Sequence, residues 1–246
     1  MDARMTPRAD SPSHPRPVPP RQLPDFGLVL AGGGSGSRFG AAGNKLLLEW
    51  RGLAVFCHPL RTFLPFLAPA HVVVTAPPAL LAEFRAALAA AGLPVAIRVL
   101  PGGVTRLDSV AAGVAALPPA VRHVAVQDGA RPLTSAELFL ACAESARRHG
   151  SGVAARPVTD TIKVADAAGL VLATPDRASL WAAETPQVFR RDWLEDGLRS
   201  ARARGVAATD DAQAVELAGH PVRLVRATAA NPKITWPDDL ERLLPA

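Results

Sequence analysis

The apolar run Phe26-Gly27-Leu28-Val29-Leu30-Ala31 empties into Gly32-Gly33-Gly34-Ser35-Gly36-Ser37-Arg38, and Lys45 follows closely. A short apolar run bounded by glycines reads as a buried strand. The glycines at its end let the backbone turn sharply and bring its N–H groups close to a ligand. Such a turn, leading towards a helix, is an anion-binding concavity, and Arg38 and Lys45 place two cations beside it. The pattern predicts phosphate binding rather than a flexible, solvated loop. It is neither of the two common nucleotide motifs. No Gly-Lys followed by Ser or Thr is present, and the sixth position of a dinucleotide fingerprint falls on Ser37 or Phe39.

Behind the loop, strand-like runs alternate with helical stretches. Strands are predicted at 26–31, 71–75, 96–100, 121–126 and 152–157, and helices at 53–66, 78–91, 106–117 and 135–149. That order predicts an α/β fold, a mostly parallel twisted sheet with helices on both faces. Ligands of such sheets gather outside the carboxyl ends of the strands. The glycine loop ends the first strand and Asp128 and Arg131 follow the fourth, so they should share one crevice.

Over 157–188 the alternation breaks. Residues 161–164 and 170–173 alternate like short strands about the turn Asp166-Ala167-Ala168-Gly169, which predicts a projecting β-hairpin. Its apolar positions need a cover, and a second subunit is the simplest one. Helices at 191–203 and 210–217, a strand at 222–225 and a helix from Pro237 follow, completing one domain over 24–246. Residues 1–23 are rich in proline and arginine and lack an apolar signal-like core, so a disordered tail is expected there.

The formal net charge is +5 and the basic residues are scattered, with no tyrosine in the chain. This argues for small anionic substrates and against nucleic acid. No apolar run is long enough to span a bilayer; the best, 86–97, is broken by Gly92 and Pro94. Cys57 and Cys142 lie far apart in apolar stretches and read as buried small hydrophobes of a reducing, cytoplasmic compartment. The 27 basic residues include only three lysines, Lys45, Lys163 and Lys233. Where arginine is the default, a lysine marks a place that suits a compact point charge.

Further clusters fall at element ends: Gly102-Gly103-Val104-Thr105-Arg106-Leu107-Asp108-Ser109, Asp128-Gly129-Ala130-Arg131-Pro132, Asp176-Arg177 with Thr185-Pro186-Gln187, Thr209-Asp210-Asp211, and Asn231-Pro232-Lys233-Ile234-Thr235. Each alone has a plain explanation; Thr209, for one, reads as a helix N-cap. In this order and spacing, with Pro157 to Lys163 and Leu180-Trp181, they resemble the 2-C-methyl-D-erythritol 4-phosphate cytidylyltransferases over nearly all of 28–243. The resemblance implies a Rossmann-like nucleotidyltransferase fold, a homodimer, a divalent cation such as Mg2+, and a place in nonmevalonate isoprenoid synthesis. The implied reaction joins CTP and methylerythritol phosphate into the CDP-linked alcohol, with pyrophosphate leaving.

It further implies roles. Gly32, Gly33, Gly34, Ser35 and Gly36 cradle the triphosphate, and Arg38 and Lys45 neutralise it. Gly102, Gly103, Arg106 and Ser109 read cytosine and ribose. Asp128, Arg131, Thr161, Thr185, Thr209 and Lys233 lie on the acceptor side, with Asp128 as metal ligand. Arg177, on the hairpin arm, reaches the partner's site and works there with Lys233. Val104 stands where an acidic residue is common in the family and Gln127 where histidine is common. Two rival readings share much of the pattern: a ribitol 5-phosphate cytidylyltransferase and a catalytically silent CTP-binding regulatory protein.

Overall fold

The computed structural model describes residues 22–32 and 44–242. Gly33, Gly34, Ser35, Gly36 and Arg38 of the expected phosphate loop, and the tail over 1–21, lie outside the described residues. In chain order the elements are β1 (Phe26–Ala31), β2 (Glu49–Trp50), β3 (Leu53–Ala54), α1 (Cys57–Phe63), β4 (Val72–Ala76), α2 (Leu81–Ala90), β5 (Arg98–Pro101), α3 (Arg106–Ala116), β6 (His123–Asp128), α4 (Ala136–His149) and β7 (Ser151–Pro157). They continue as β8 (Val164–Ala165), β9 (Val171–Ala173), β10 (Trp181–Arg190), α5 (Arg191–Ala203), α6 (Asp211–Leu217), β11 (Leu224–Arg226) and α7 (Pro237–Arg242).

Seven strands form one sheet in the order β11-β7-β10-β6-β1-β4-β5. Every neighbouring pair is parallel except the two made by β10, which runs antiparallel to β6 and β7. Alternate residues of β1 enter opposite cores, as the period of a strand requires. Leu28 and Leu30 join Leu60, Phe63, Phe84 and Phe139 of α1, α2 and α4. Val29 joins Val110, Val114, Leu194 and Val215 of α3, α5 and α6. A sheet clad on both faces accounts for the unbroken burial of β4.

The expected helix at 53–66 begins only at Cys57. A two-strand hairpin precedes it, turned by Arg51 and Gly52 with φ of 48° and 76°. Two successive left-handed residues are what a tight hairpin turn demands, and that local requirement overrides the helical reading. The larger correction is β10. The sequence pattern puts Thr185-Pro186-Gln187 after the hairpin and outside the sheet, yet it lies within an inner strand. A proline normally argues against an inner strand; here the pairing shifts register between Ala183 and Gln187, which accommodates Pro186. Gln22 and Leu23, expected in the tail, pack with the domain: Leu23 is 4% exposed and donates to the Phe66 carbonyl at 2.8 Å.

The arm is present as β8 and β9, paired antiparallel. Asp166 closes its turn by accepting from the N–H groups of Ala168 and Leu170, each at 2.9 Å. All residues from 159 to 174 are exposed, including Leu170 at 66% and Leu172 at 63%.

Candidate active site

The carboxyl ends of β1 and β6 lie side by side, with Ala31 in register with Asp128 and, across β1, with Thr75 of β4. Gly32 leaves β1 with its N–H donating to the Thr75 carbonyl at 2.8 Å. A Cβ at Gly32 would stand 2.6 Å from that same oxygen, so only glycine can pass here.

The expected nucleotide-side turn is a braced structure. Thr105 caps α3 by accepting from the Asp108 N–H at 3.1 Å, while Asp108 accepts from the Thr105 N–H at 3.1 Å, a reciprocal capping box. The buried Ser109 hydroxyl accepts from the Gly103 N–H and donates to the Thr105 carbonyl, each at 3.0 Å. Ser109 therefore fixes the Gly102-Gly103 turn. A Cβ at Gly103 would collide with Asp108 at 2.3 Å.

Arg106, the first residue of α3, turns inwards and bridges two carboxylates. Its Nη2 lies 2.8 Å from Asp211 Oδ2 and 3.2 Å from Asp128 Oδ1. Asp128 is 7% exposed. Its Oδ2 takes Lys233 Nζ at 2.7 Å and lies 3.9 Å from Arg131 Nε, and its N–H donates to the buried Thr185 hydroxyl at 3.1 Å. Arg131 also donates from Nη1 to the Asn231 carbonyl at 2.6 Å. Lys45 Nζ donates to the carbonyl of Ile234, the residue after Lys233, at 2.6 Å. The structure thus brings Lys45, Arg106, Asp128, Arg131, Thr185 and Lys233 together.

Thr161 and Arg177 stay out on the exposed arm, where Arg177 Nη1 donates to the Thr159 carbonyl at 2.8 Å. Among the described residues, no hydrogen bond or ion pair ties either to the Asp128 cluster. Thr209 is exposed at the entrance to α6, and its hydroxyl and N–H both donate to Gln213 Oε1. It is not the cap of that helix. Asp210 is, accepting from the Gln213 N–H at 2.8 Å, because a carboxylate one residue nearer the helix outcompetes the hydroxyl for that donor.

Sequence reasoning gave Asp211 no role, although it is fully buried at the first turn of α6. Burial pushes its carboxyl up; Arg106 offsets only part of this, and Asp128 and Asp210 add to it. For Asp128, burial pushes the same way, but Arg106, Lys233 and Arg131 outweigh it and hold the carboxyl at about 2. Arg106 is opposed by burial, yet the two aspartates raise it further above its ordinary value, so it stays charged. The signal for Asp211 was available in part: a second acid behind an N-cap can point inwards.

Asp128 therefore has a depressed folded value, and its contribution to stability is complete above about pH 4 and is lost as pH falls through about 2. That contribution is on the order of 2 kcal/mol. Urea midpoints taken between pH 5 and pH 2 should fall along this limb, and Asp128→Asn should flatten it. An equally steep limb in the variant would mean that other carboxylates carry it.

Among the described residues, no three His, Cys, Asp or Glu side chains converge as a ready-made metal cage. Asp128 offers one ionised carboxylate beside the strand ends. That donor set suits Mg2+ bound through one carboxylate with substrate phosphates and water, not a structural ion.

The family model described as IspD, 2-C-methyl-D-erythritol 4-phosphate cytidylyltransferase, matches residues 27–243. The 2-C-methyl-D-erythritol 4-phosphate cytidylyltransferase of Prochlorococcus marinus (strain MIT 9313) is 42% identical over 213 residues, covering 87% of this chain and 94% of that protein. The protein of the same name from Synechococcus sp. (strain WH7803) is 43% identical, covering 87% and 95%. The crystal structure of the enzyme of that name from Thermus thermophilus superposes with a TM-score of 0.71 at 31% identity, over 88% of this chain and 95% of that one. A family model over 27–243 and relatives more than 40% identical over most of both chains show the family: the chain belongs to the 2-C-methyl-D-erythritol 4-phosphate cytidylyltransferases.

Proposed function

We propose that this chain joins CTP to 2-C-methyl-D-erythritol 4-phosphate, releasing pyrophosphate, in the nonmevalonate route to isoprenoid precursors. The observation that carries the reading is the ring of Arg106, Arg131 and Lys233 around one buried aspartate, with Lys45 tied to the residue beside Lys233. Two polyanionic reactants repel each other, and fixed cations at the strand ends are what brings them together.

In the reaction an oxygen of the acceptor's phosphate forms a bond to the α-phosphorus of CTP. The bond from that phosphorus to the bridging α,β-oxygen breaks, and pyrophosphate leaves with the electron pair. No covalent intermediate with the protein is required. Lys45 and Arg38 neutralise the triphosphate, and the backbone from Gly32 to Gly36 cradles it. Gly102, Gly103, Arg106 and Ser109 form the nucleoside side. Asp128, Arg131, Thr185, Thr209 and Lys233 form the acceptor side. When bound, Mg2+ supplies further positive charge to the phosphates, and Asp128 is the residue that would hold it.

The active unit is a homodimer in this reading. The arm displays Ile162, Val164, Leu170, Val171, Leu172 and Trp181 to solvent, more apolar surface than an isolated hairpin sustains. Covered by a second copy, it would carry Thr161 and Arg177 to the partner's acceptor site. Among the described residues, no helix is long and apolar enough to cross a membrane.

Pyrophosphate release tests the reading. CTP with methylerythritol phosphate should give turnover, and ribitol 5-phosphate or the other nucleotides should give far less. Preference for ribitol 5-phosphate would move the chain to that rival activity. CTP binding without pyrophosphate release would make it a nucleotide sensor.

A further inference from the structure

Asn231 is buried, and its side-chain amide and its carbonyl are both fully engaged. Its Nδ2 donates to Glu184 Oε2 at 2.9 Å and to the Thr185 carbonyl at 2.8 Å. Its Oδ1 accepts from the Thr134 hydroxyl at 2.8 Å, and Gln127 Nε2 donates to that hydroxyl at 2.9 Å. Its carbonyl accepts from Arg131. Glu184 and Thr185 lie where β10 shifts register, so their polar groups are free of the regular ladder and can receive an outside partner. Three residues on, the Ile234 N–H donates to the Ala130 carbonyl at 2.8 Å. The segment 231–234 is therefore pinned at both ends, to β10 at one and to the loop after β6 at the other. Between the pins stand Lys233 Nζ, on Asp128, and the Ile234 carbonyl, on Lys45 Nζ.

We propose that Asn231 is a positioning residue for the nucleotidyl transfer, its buried amide setting the place of both Lys233 and Lys45. Asn231 touches neither reactant. It acts by holding the segment from which one ammonium projects and to which the other is tethered. A cation misplaced by about an ångström loses much of its effect on a developing charge. Only the rates below rest on the function proposed above; the spectra do not.

The chain has only three lysines, so reductive ¹³C-methylation gives a spectrum in which each can be assigned by its Lys→Arg variant. In Asn231→Ala the signals of Lys45 and Lys233 should move, while that of Lys163, bonded to Thr174 on the arm, stays. Unfolding would instead collapse all three to one position. If Asn231→Ala unfolds, Thr134→Val, which keeps the side chain's shape but removes the donor to Oδ1 together with the acceptor of Gln127 Nε2, takes its place. For the rates, kcat should fall about 10-fold or more in the variant. It should fall little further when Lys233→Ala already carries the loss, because residues acting as a unit are not additive. A folded variant with all three signals in place would overturn the proposal, as would losses that simply multiply. An inactive wild type with the lysine signals moving as expected would instead refute the function and leave the positioning role intact.

Discussion

Asp128→Asn is expected to cost about 3 kcal/mol of stability and at least about 10²-fold in kcat. Both losses follow from three cations meeting on one carboxylate. Asparagine keeps the shape and removes the charge, so Arg131, 11% exposed, loses its carboxylate and keeps the Asn231 carbonyl, while Arg106 keeps only Asp211. Breaking a buried pair from one side is costly because the remaining charge has no partner and no water. Lys233 is 42% exposed and recovers part of its loss from solvent, which keeps the cost at the low end. For a domain of this size the melting temperature should drop by roughly 6–12 °C. Calorimetry and pyrophosphate release, the latter at a temperature where the variant is still folded, would check the two losses separately. Unchanged melting and turnover would mean that Asp128 is a bystander to the cations around it.

Lys45→Ala and Arg177→Ala should each abolish nearly all turnover, and mixing the two should bring some back. The two residues have different surroundings within one chain: Lys45 donates to the Ile234 carbonyl, and Arg177, out on the exposed arm, donates to the Thr159 carbonyl. If the arm crosses to a second copy, each site draws Lys45 from one protomer and Arg177 from the other. A hybrid of the two variants then has one site with both residues and one with neither. Random exchange makes half of all dimers hybrid, so about a quarter of wild-type activity should return at full mixing. Verified hybrids without recovery would place both residues on the same chain's site. A chain that stays monomeric at assay concentration would remove the arm's role altogether.

How much of this was legible in the sequence differs from element to element. β1 was read to the residue, because an apolar run ending in glycines has few other fates. The helices of both faces were found within a few residues, since their apolar spacing is what the two cores require. β10 was not found, because its proline speaks against an inner strand and only the register shift, a tertiary event, makes room for it. In the site, Asp128, Arg131 and Lys233 were legible as clusters at element ends. Their convergence on one acceptor side was implied only by the family resemblance, not by the residue pattern, because Lys233 is far from Asp128 along the chain and reaches it through the packing of 231–234. Arg106 shows the same limit from the other side. Its position at the mouth of α3 was clear, but the bridge to Asp211 depends on α6, which arrives much later in the chain.

The placement of β10 has a consequence for how the molecule is made. Within the sheet it alone joins the pair β11-β7 to the set β6-β1-β4-β5, yet it is synthesised after all of these except β11. Until residue 190 has left the ribosome, β6 presents a bare, apolar margin of unpaired amides, the kind that invites mispairing between nascent chains. Closing that gap needs the arm to be traversed first, so an error in the arm is an error in the sheet. Biogenesis of this protein should therefore be most vulnerable to crowding, and most dependent on chaperone capture, during that interval of translation.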